Sequence, residues 1–143
     1  MSNNNQSVNV EVLSINKKLS YAGFWIRFLA YLIDGLLIGT IGGTLTAALN
    51  GSSASTFVSI ALAAIYYVVM ETSEYQGTLG KIAMGIKVVD LDGNKLSYPK
   101  AIIRYVSKFL SSLILLIGYI MAAFTEKKQG LHDIIAGTLV VKK

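Results

Sequence analysis

The sequence predicts an all-α membrane protein: a small transmembrane helical bundle, built as a two-span hairpin plus a third or fourth helical segment, with a short cytoplasmic β-hairpin. Three observations carry that expectation. The 143 residues are 53% hydrophobic and only 15% charged, against about 25% charged for an average soluble domain, and mean hydropathy is +0.56. The apolar residues come in long blocks separated by polar, basic stretches. No Lys or Arg occurs from Phe28 through Gly80, whereas Lys17, Lys18 and Arg27 precede that stretch and Lys81, Lys87, Lys95 and Lys100 follow it.

The chain is short enough for one unit, read as a polar N-terminal tail over residues 1–20 and a membrane domain over 21–143. The start, MSNNNQSVNVEVLSI, lacks the basic head and apolar middle of a secretory signal, so the tail is expected to stay attached. The first apolar block runs from Phe24 to Leu49. At about 1.5 Å per residue it spans a hydrocarbon core of about 30 Å with room for tilt. Tyr21, Phe24 and Trp25 mark its start, because amphipathic rings favour the headgroup boundary. The second block, Ala54 to Met70, is shorter and ends among Tyr66, Tyr67 and Tyr75. The charge-free NGSSAS between the blocks is too short for anything but an antiparallel helical hairpin. The distribution of basic residues then places both ends of the hairpin in the cytoplasm and NGSSAS outside.

Thr78 to Met84, closed by Gly85, reads as a short interfacial helix. IKVVDLDGNKLSYP follows, two short runs around Asp92-Gly93, which is a two-residue hairpin signal. The closing GTLVVKK has the same strand character, and pairing it with IKVVDL would cover an exposed edge. That pairing needs a cytoplasmic C-terminus and an even number of crossings. The third block carries basic residues at both ends, Arg104 and Lys108 before and Lys127 and Lys128 after. It therefore divides into an amphipathic helix from Pro99 to about Ser112, with Pro99 in its first turn, and a piece from Phe109 to Phe124 that enters the bilayer to cross or to return.

Within the first span Arg27 and Asp34 stand seven residues apart. Seven residues turn through about 700°, so the two share a face but lie about 10.5 Å apart along the axis, too far to pair directly. Helical side chains lean toward the N-terminus, which carries Arg27 back toward the cytoplasmic headgroups and leaves Asp34 near mid-span. An ionised aspartate there costs about 2.5 to 3.5 kcal/mol on insertion scales, so it should bind a proton or meet a cation. The alternative is that Asp34 hydrogen-bonds a neighbouring helix, through Arg104, Lys108 or a serine hydroxyl. Gly35, Gly39 and Gly43 form two overlapping G-x-x-x-G units, and small residues let helix backbones meet. Their partner is either the second span, through Ser59, Ala63 and Ala64, or the same helix of another copy; a tight hairpin within one chain is the simpler reading.

Several chemistries are set aside. There is no cysteine, hence no disulfide or thiol nucleophile. QGTLGKIAMG is glycine-rich and contains Lys81, but Ile82 stands where a Walker loop needs Ser or Thr, and Gly77, Gly80 and Gly85 do not match G-x-G-x-x-G. His132 and Asp133 are too few to hold a metal or form a catalytic dyad with a nucleophile, and read as a helix-start pair at the interface. No cofactor, metal or catalytic residue is expected. The 13 basic residues are spread along the edges of spans, which fits anionic lipid headgroups and not nucleic acid.

AGFWIRFLAYLIDGLLIG, GTLGKIAMGIKVVDLDG and KKQGLHDIIAGTLVV, in that order, resemble the first, central and closing segments of the RDD family of small membrane proteins, named for one arginine and two aspartates. Here those are Arg27, Asp34 and Asp133, and the resemblance covers Ala22 to Val141. It implies a multi-span helical membrane protein for which transport has been proposed, with cation/proton antiport suggested for some members.

The function expected is movement of a small monovalent cation against protons across the cell membrane, with Asp34 as the exchanging carboxylate. Arg27 and Asp133 would pair at the cytoplasmic mouth, with Glu71 a second candidate acid. So few helices seldom enclose a pathway alone, so transport implies a homo-oligomer. The rival is a non-transporting assembly or lipid-associated module in which the Arg/Asp/Asp triad locks helix packing. Enzyme activity is not expected.

Overall fold

The chain's two longest apolar helices stand side by side, and nearly everything else gathers at one end of them. In the computed structural model, residues 2–113 and 117–143 are described. The polar start is helical, α1 (Ser2–Lys18), and is followed by α2 (Phe24–Ala48) and α3 (Ser53–Thr72). At about 1.5 Å per residue these last two are about 38 and 30 Å long, enough to cross a bilayer. Between them Asn50 and Gly51 take left-handed backbone, which turns the chain back on itself, and the Ser52 hydroxyl accepts the Ser55 N–H to start α3. The expected hairpin of helices is therefore present, with bounds close to those read from hydropathy.

Burial is concentrated at one end of this hairpin, Ser55 beside the turn being the exception among the described residues. The buried residues of α2 are Arg27, Ala30 and Asp34, and the buried charged residue of α3 is Glu71, near its C-terminus. Farther along, Leu36, Ile41, Phe57 and Ile65 are all exposed, as apolar side chains are when lipid is the solvent. The glycine stripe does not join the two helices. A Cβ built at Gly35, Gly39 or Gly43 would meet nothing within 4 Å, whereas one at Gly42 would touch Ser59 at 3.7 Å. Among the described residues, Gly42 is thus where the backbone of α2 comes close to α3, because the turn through Asn50 and Gly51 sets a different face of α2 toward its partner.

At the packed end, α4 (Leu79–Ala83) leads into β1 (Ile86–Asp90). Gly85 has φ +66 and makes the expected break between them. α5 (Tyr98–Leu113), α6 (Ile117–Ile120), a 3₁₀ turn (Met121–Ala123), α7 (Leu131–Ala136) and β2 (Thr138–Lys142) complete the chain. β1 and β2 pair antiparallel, from Ile86 opposite Lys142 to Asp90 opposite Thr138, as the closing GTLVVKK led one to expect. The outer edge of β2 is covered by the segment before α2: Ala22 N–H donates to the Val140 carbonyl at 2.9 Å and Lys142 N–H to that of Ser20 at 2.8 Å. Ile86, Val88, Val89, Leu139, Val140 and Val141 are all buried. With both faces covered, the strands have no reason to alternate, hence their continuous apolar runs.

The β-hairpin expected around Asp92-Gly93 does not form. The Asp90 carboxylate instead accepts the N–H groups of Asp92 (2.9 Å) and Asn94 (2.8 Å), closing a local loop from which the chain runs into α5, while β1 takes its partner from the far end of the sequence.

α5 agrees with the helix expected from Pro99 to about Ser112. Its polarity is inverted relative to a helix of a water-soluble protein: Ile102, Ile103, Val106, Phe109 and Leu110 are exposed, whereas Arg104, Ser107, Lys108 and Ser111 are buried. Such an arrangement is favourable where the surroundings are apolar. The bilayer-entering piece expected over Phe109 to Phe124 includes residues 114–116, which lie outside the described residues; on either side the chain forms the end of α5 and the short α6.

Candidate functional site

Asp34 lies on α2 with no exposed surface. Thr78 Oγ1 donates to its Oδ2 at 2.5 Å, and Gly80 N–H (2.9 Å) and Tyr66 Oη (3.1 Å) donate to Oδ1. The Tyr66 hydroxyl is itself held in place by accepting Leu79 N–H at 2.9 Å. None of these is Arg104, Lys108 or a serine, the partners considered from the sequence. The start of α4 presents one hydroxyl and one amide to the carboxylate, and Gly80 permits the approach: a Cβ there would overlap the Ala30 carbonyl oxygen and sit 2.9 Å from Asp34 Cγ. Hydrogen bonds to a charged group contribute about 1.5–3 kcal/mol each. Three of them offset the roughly 2.5–3.5 kcal/mol cost of placing the carboxylate in the span, without a bound cation.

A second, larger constellation lies deeper in the packed end. Arg27 makes the expected pair with Asp133 and also donates to the Lys128 carbonyl oxygen, so it turns inward and does not reach back to the headgroups. Its neighbours explain the turn, because α7 holds Asp133 beside the first turns of α2. Arg104 joins the groups. Its Nε and Nη2 donate to Asp133 Oδ1 at 3.0 and 2.7 Å, and its Nη1 donates to Glu71 Oε1 at 2.8 Å. A guanidinium suits this bridging because its donors are fixed in a planar fork. Glu71 Oε1 also receives Lys81 from α4 and lies 3.7 Å from Lys108 Nζ. The Asp133 Oδ2 atom accepts Gly130 N–H at 3.0 Å, so the same carboxylate caps α7. All six ionisable side chains of this network are buried.

Burial alone would raise the Asp133 carboxyl, but Arg27 and Arg104 hold it well below the usual carboxylate range. Burial works against the charge on Arg104, yet Glu71 and Asp133 raise it above its ordinary value. Burial pushes the Lys81 ammonium down, against the pull of Glu71. His132, also buried, is lowered to about 3 by desolvation, with Asp133 opposing, so it is neutral; its Nε2 lies 3.2 Å from Tyr31 Oη.

The four ionisable residues singled out from the sequence thus divide into two places. Arg27, Glu71 and Asp133 belong to one network, and Asp34 is held separately. Gly80 and Lys81, adjacent on α4, link them, one bonded to each centre. Arg104 and Lys81 were not among the candidates. For Arg104 the available signal was the spacing of Arg104, Ser107, Lys108 and Ser111 on one face of α5, opposite Ile102, Val106 and Phe109. Two cavities approach these centres. One of about 270 Å³ runs between α2 and α3, past Gly42 and Ser59, to Tyr66. Another, of about 360 Å³, is lined by Phe24, Phe28, Tyr31 and Tyr119 and reaches Arg27 and His132.

The family model described as RDD family matches residues 21–137. Among curated proteins, the chain is 38% identical to uncharacterized protein YxaI of Bacillus subtilis (strain 168), covering 85% of this chain and 97% of that one. It is 35% identical to the uncharacterized membrane protein YteJ of the same strain, over 85% of this chain and 81% of YteJ. No solved structure matches the chain.

Proposed function

The chain belongs to the RDD family, and on that premise we propose that this membrane protein is a transport unit exchanging a small monovalent cation for protons across the cell membrane. One observation carries the reading: a network of ionised side chains is sealed between two span-length helices and an α5 whose apolar face points outward. Intramembrane ionisable groups of this kind mark ion or proton pathways. Asp34 acts as the exchanging carboxylate. Ionised, it accepts three donors; protonated, it keeps less acceptor capacity, so the Thr78–Gly80 turn loosens and α4 moves with Lys81. The cleft that ends at Tyr66 supplies the route to it. The basic segments flanking the hairpin set the N-terminus and the two-stranded sheet in the cytoplasm and meet anionic headgroups, and a homo-oligomer completes the pathway that one short hairpin does not enclose.

The three donors on Asp34 also favour a second reading, in which the Arg/Asp/Asp triad is architectural and the protein is a non-transporting membrane assembly. Proton flux in proteoliposomes, compared between the unmodified protein and Asp34→Asn, separates the two. Transport is supported by flux in the unmodified protein that disappears in a variant whose thermal unfolding stays cooperative. Absence of flux in the unmodified protein across monovalent-cation gradients would leave architecture as the function.

A further inference from the structure

Lys108 is the one member of the buried cluster without a hydrogen bond. Its Nζ is buried and has no hydrogen-bond partner among the described residues. The nearest carboxylate oxygen, Glu71 Oε1 at 3.7 Å, is already taken by Lys81 and Arg104. The amine instead sits over the Tyr67 ring, 3.9 Å from its centroid, with the Tyr31 and Tyr105 rings at 5.7 and 5.9 Å. The charged groups facing it are Glu71 from α3, Lys81 from α4, Arg104 from its own helix and Asp133 from α7. With Arg27 included, the cluster holds four basic side chains against the two carboxylates of Glu71 and Asp133. A buried cation in excess with no acceptor is unfavourable. Burial lowers Lys108 to about 7, Glu71 opposing and Lys81 and Arg104 adding to the shift.

We propose that Lys108 is the proton-accepting group of this site: a neutral amine at alkaline pH that takes up a proton on acidification and then competes with Lys81 for Glu71. The neutral amine relieves the surplus of positive charge. The ammonium has a place prepared for it against the face of Tyr67, but it needs the Glu71 oxygen that Lys81 occupies. Drawing Glu71 toward Lys108 frees Lys81, and Lys81 is bonded in sequence to Gly80, which holds Asp34. Protonation at Lys108 is thereby passed to the aspartate in the span through Glu71, Lys81 and Gly80. The inference rests on the transport reading only for its purpose; the titration itself does not require flux.

The test uses the full chain in lipid nanodiscs with ¹³C/¹⁵N-labelled lysine, the Lys108 resonance being identified from its absence in Lys108→Arg. The expected result is a Cε/Nζ transition within about one unit of pH 7; an ammonium that persists beyond pH 9 overturns the proposal. An independent measurement is the thermal midpoint of the unmodified protein and Lys108→Met between pH 6 and pH 10. A lysine whose native pKa lies below its unfolded one makes stability rise with pH between the two values. The unmodified protein should therefore gain relative to Lys108→Met as pH rises from 7, and parallel curves overturn the proposal. A titrating Lys108 in a protein without proton flux would retain the switch and remove the transport reading.

Discussion

The amide of Gly80 donates to Asp34 at 2.9 Å across the junction of α4 and α2, at a position where any side chain would overlap the Ala30 carbonyl oxygen. That contact seats α4 on the first span, and α4 carries Lys81 into the ion network. Gly80→Ala should therefore cost about 1–3 kcal/mol through overpacking. Thermal unfolding in detergent is the measurement, with Gly85→Ala unsuitable as a control because Gly85 has φ +66.

Tyr66→Phe deletes one donor to Asp34 and the acceptor of Leu79 N–H. Loss of a hydrogen bond to a charged group predicts destabilisation of about 1.5–3 kcal/mol. A chemical denaturation series comparing Tyr66→Phe with Tyr75→Phe, whose ring is exposed, should separate the contact with Asp34 from a general tyrosine effect.

Arg104 bridges the two carboxylates of the network. Arg104→Met leaves Glu71 and Asp133 each short of a partner while buried, and removal of one partner from a buried pair costs about 3–5 kcal/mol. Arg104→Lys should recover little, because an ammonium lacks the fork that reaches both acids. Expression level and unfolding midpoint of the three proteins decide the matter, and near-equal midpoints would contradict the bridging role.

His132 gives an acid dependence whose sign follows from its neutrality in the folded protein. Its native value, about 3, lies below the ordinary histidine value of 6.5, so the unfolded chain binds the extra proton between those limits. Stability falls as pH drops from about 6.5 toward 3. Asp133, held below the ordinary aspartate value of 3.8, contributes stability that is present above that value and is lost at still lower pH. His132→Gln should flatten the unfolding midpoint between pH 6.5 and pH 4 and leave the steeper loss below it.

The proposed homo-oligomer has a direct test on α2. Gly39 meets nothing within 4 Å in the chain, so Gly39→Leu should leave the monomer's unfolding unchanged or raise it by up to about 1 kcal/mol from helix propensity. If Gly35, Gly39 and Gly43 form the contact between copies, the same substitution lowers the mass measured by light scattering in detergent. An unchanged mass would exclude that face.

How much could be read in advance differed by type of feature. The two long helices, the turn at NGSSAS and the amphipathic α5 follow from hydropathy, periodicity and turn chemistry, which are properties of short stretches, whereas the pairing of IKVVD with TLVVK was legible only as shared strand character and an edge in need of cover. The Asp92-Gly93 hairpin signal was equally local, and it lost to the Asp90 side chain, which captured the amides of Asp92 and Asn94. The glycine stripe was expected to pack the hairpin within the chain, but Gly42 and not Gly35, Gly39 or Gly43 faces α3, since helix rotation in the hairpin depends on the turn and on contacts with α4.

By itself, the order of residues determined that this protein has a membrane-facing hairpin and that Arg27, Asp34, Glu71 and Asp133 are costly to place in it. Tertiary structure alone decided which charges meet. Arg104 reaches Glu71 and Asp133, and Asp34 reaches Thr78 and Gly80, because elements far apart in the chain are brought together at one end of α2 and α3. No periodicity encodes such meetings. A buried charge is costly unless it is partnered, and only the packed arrangement of helices specifies which partner it meets.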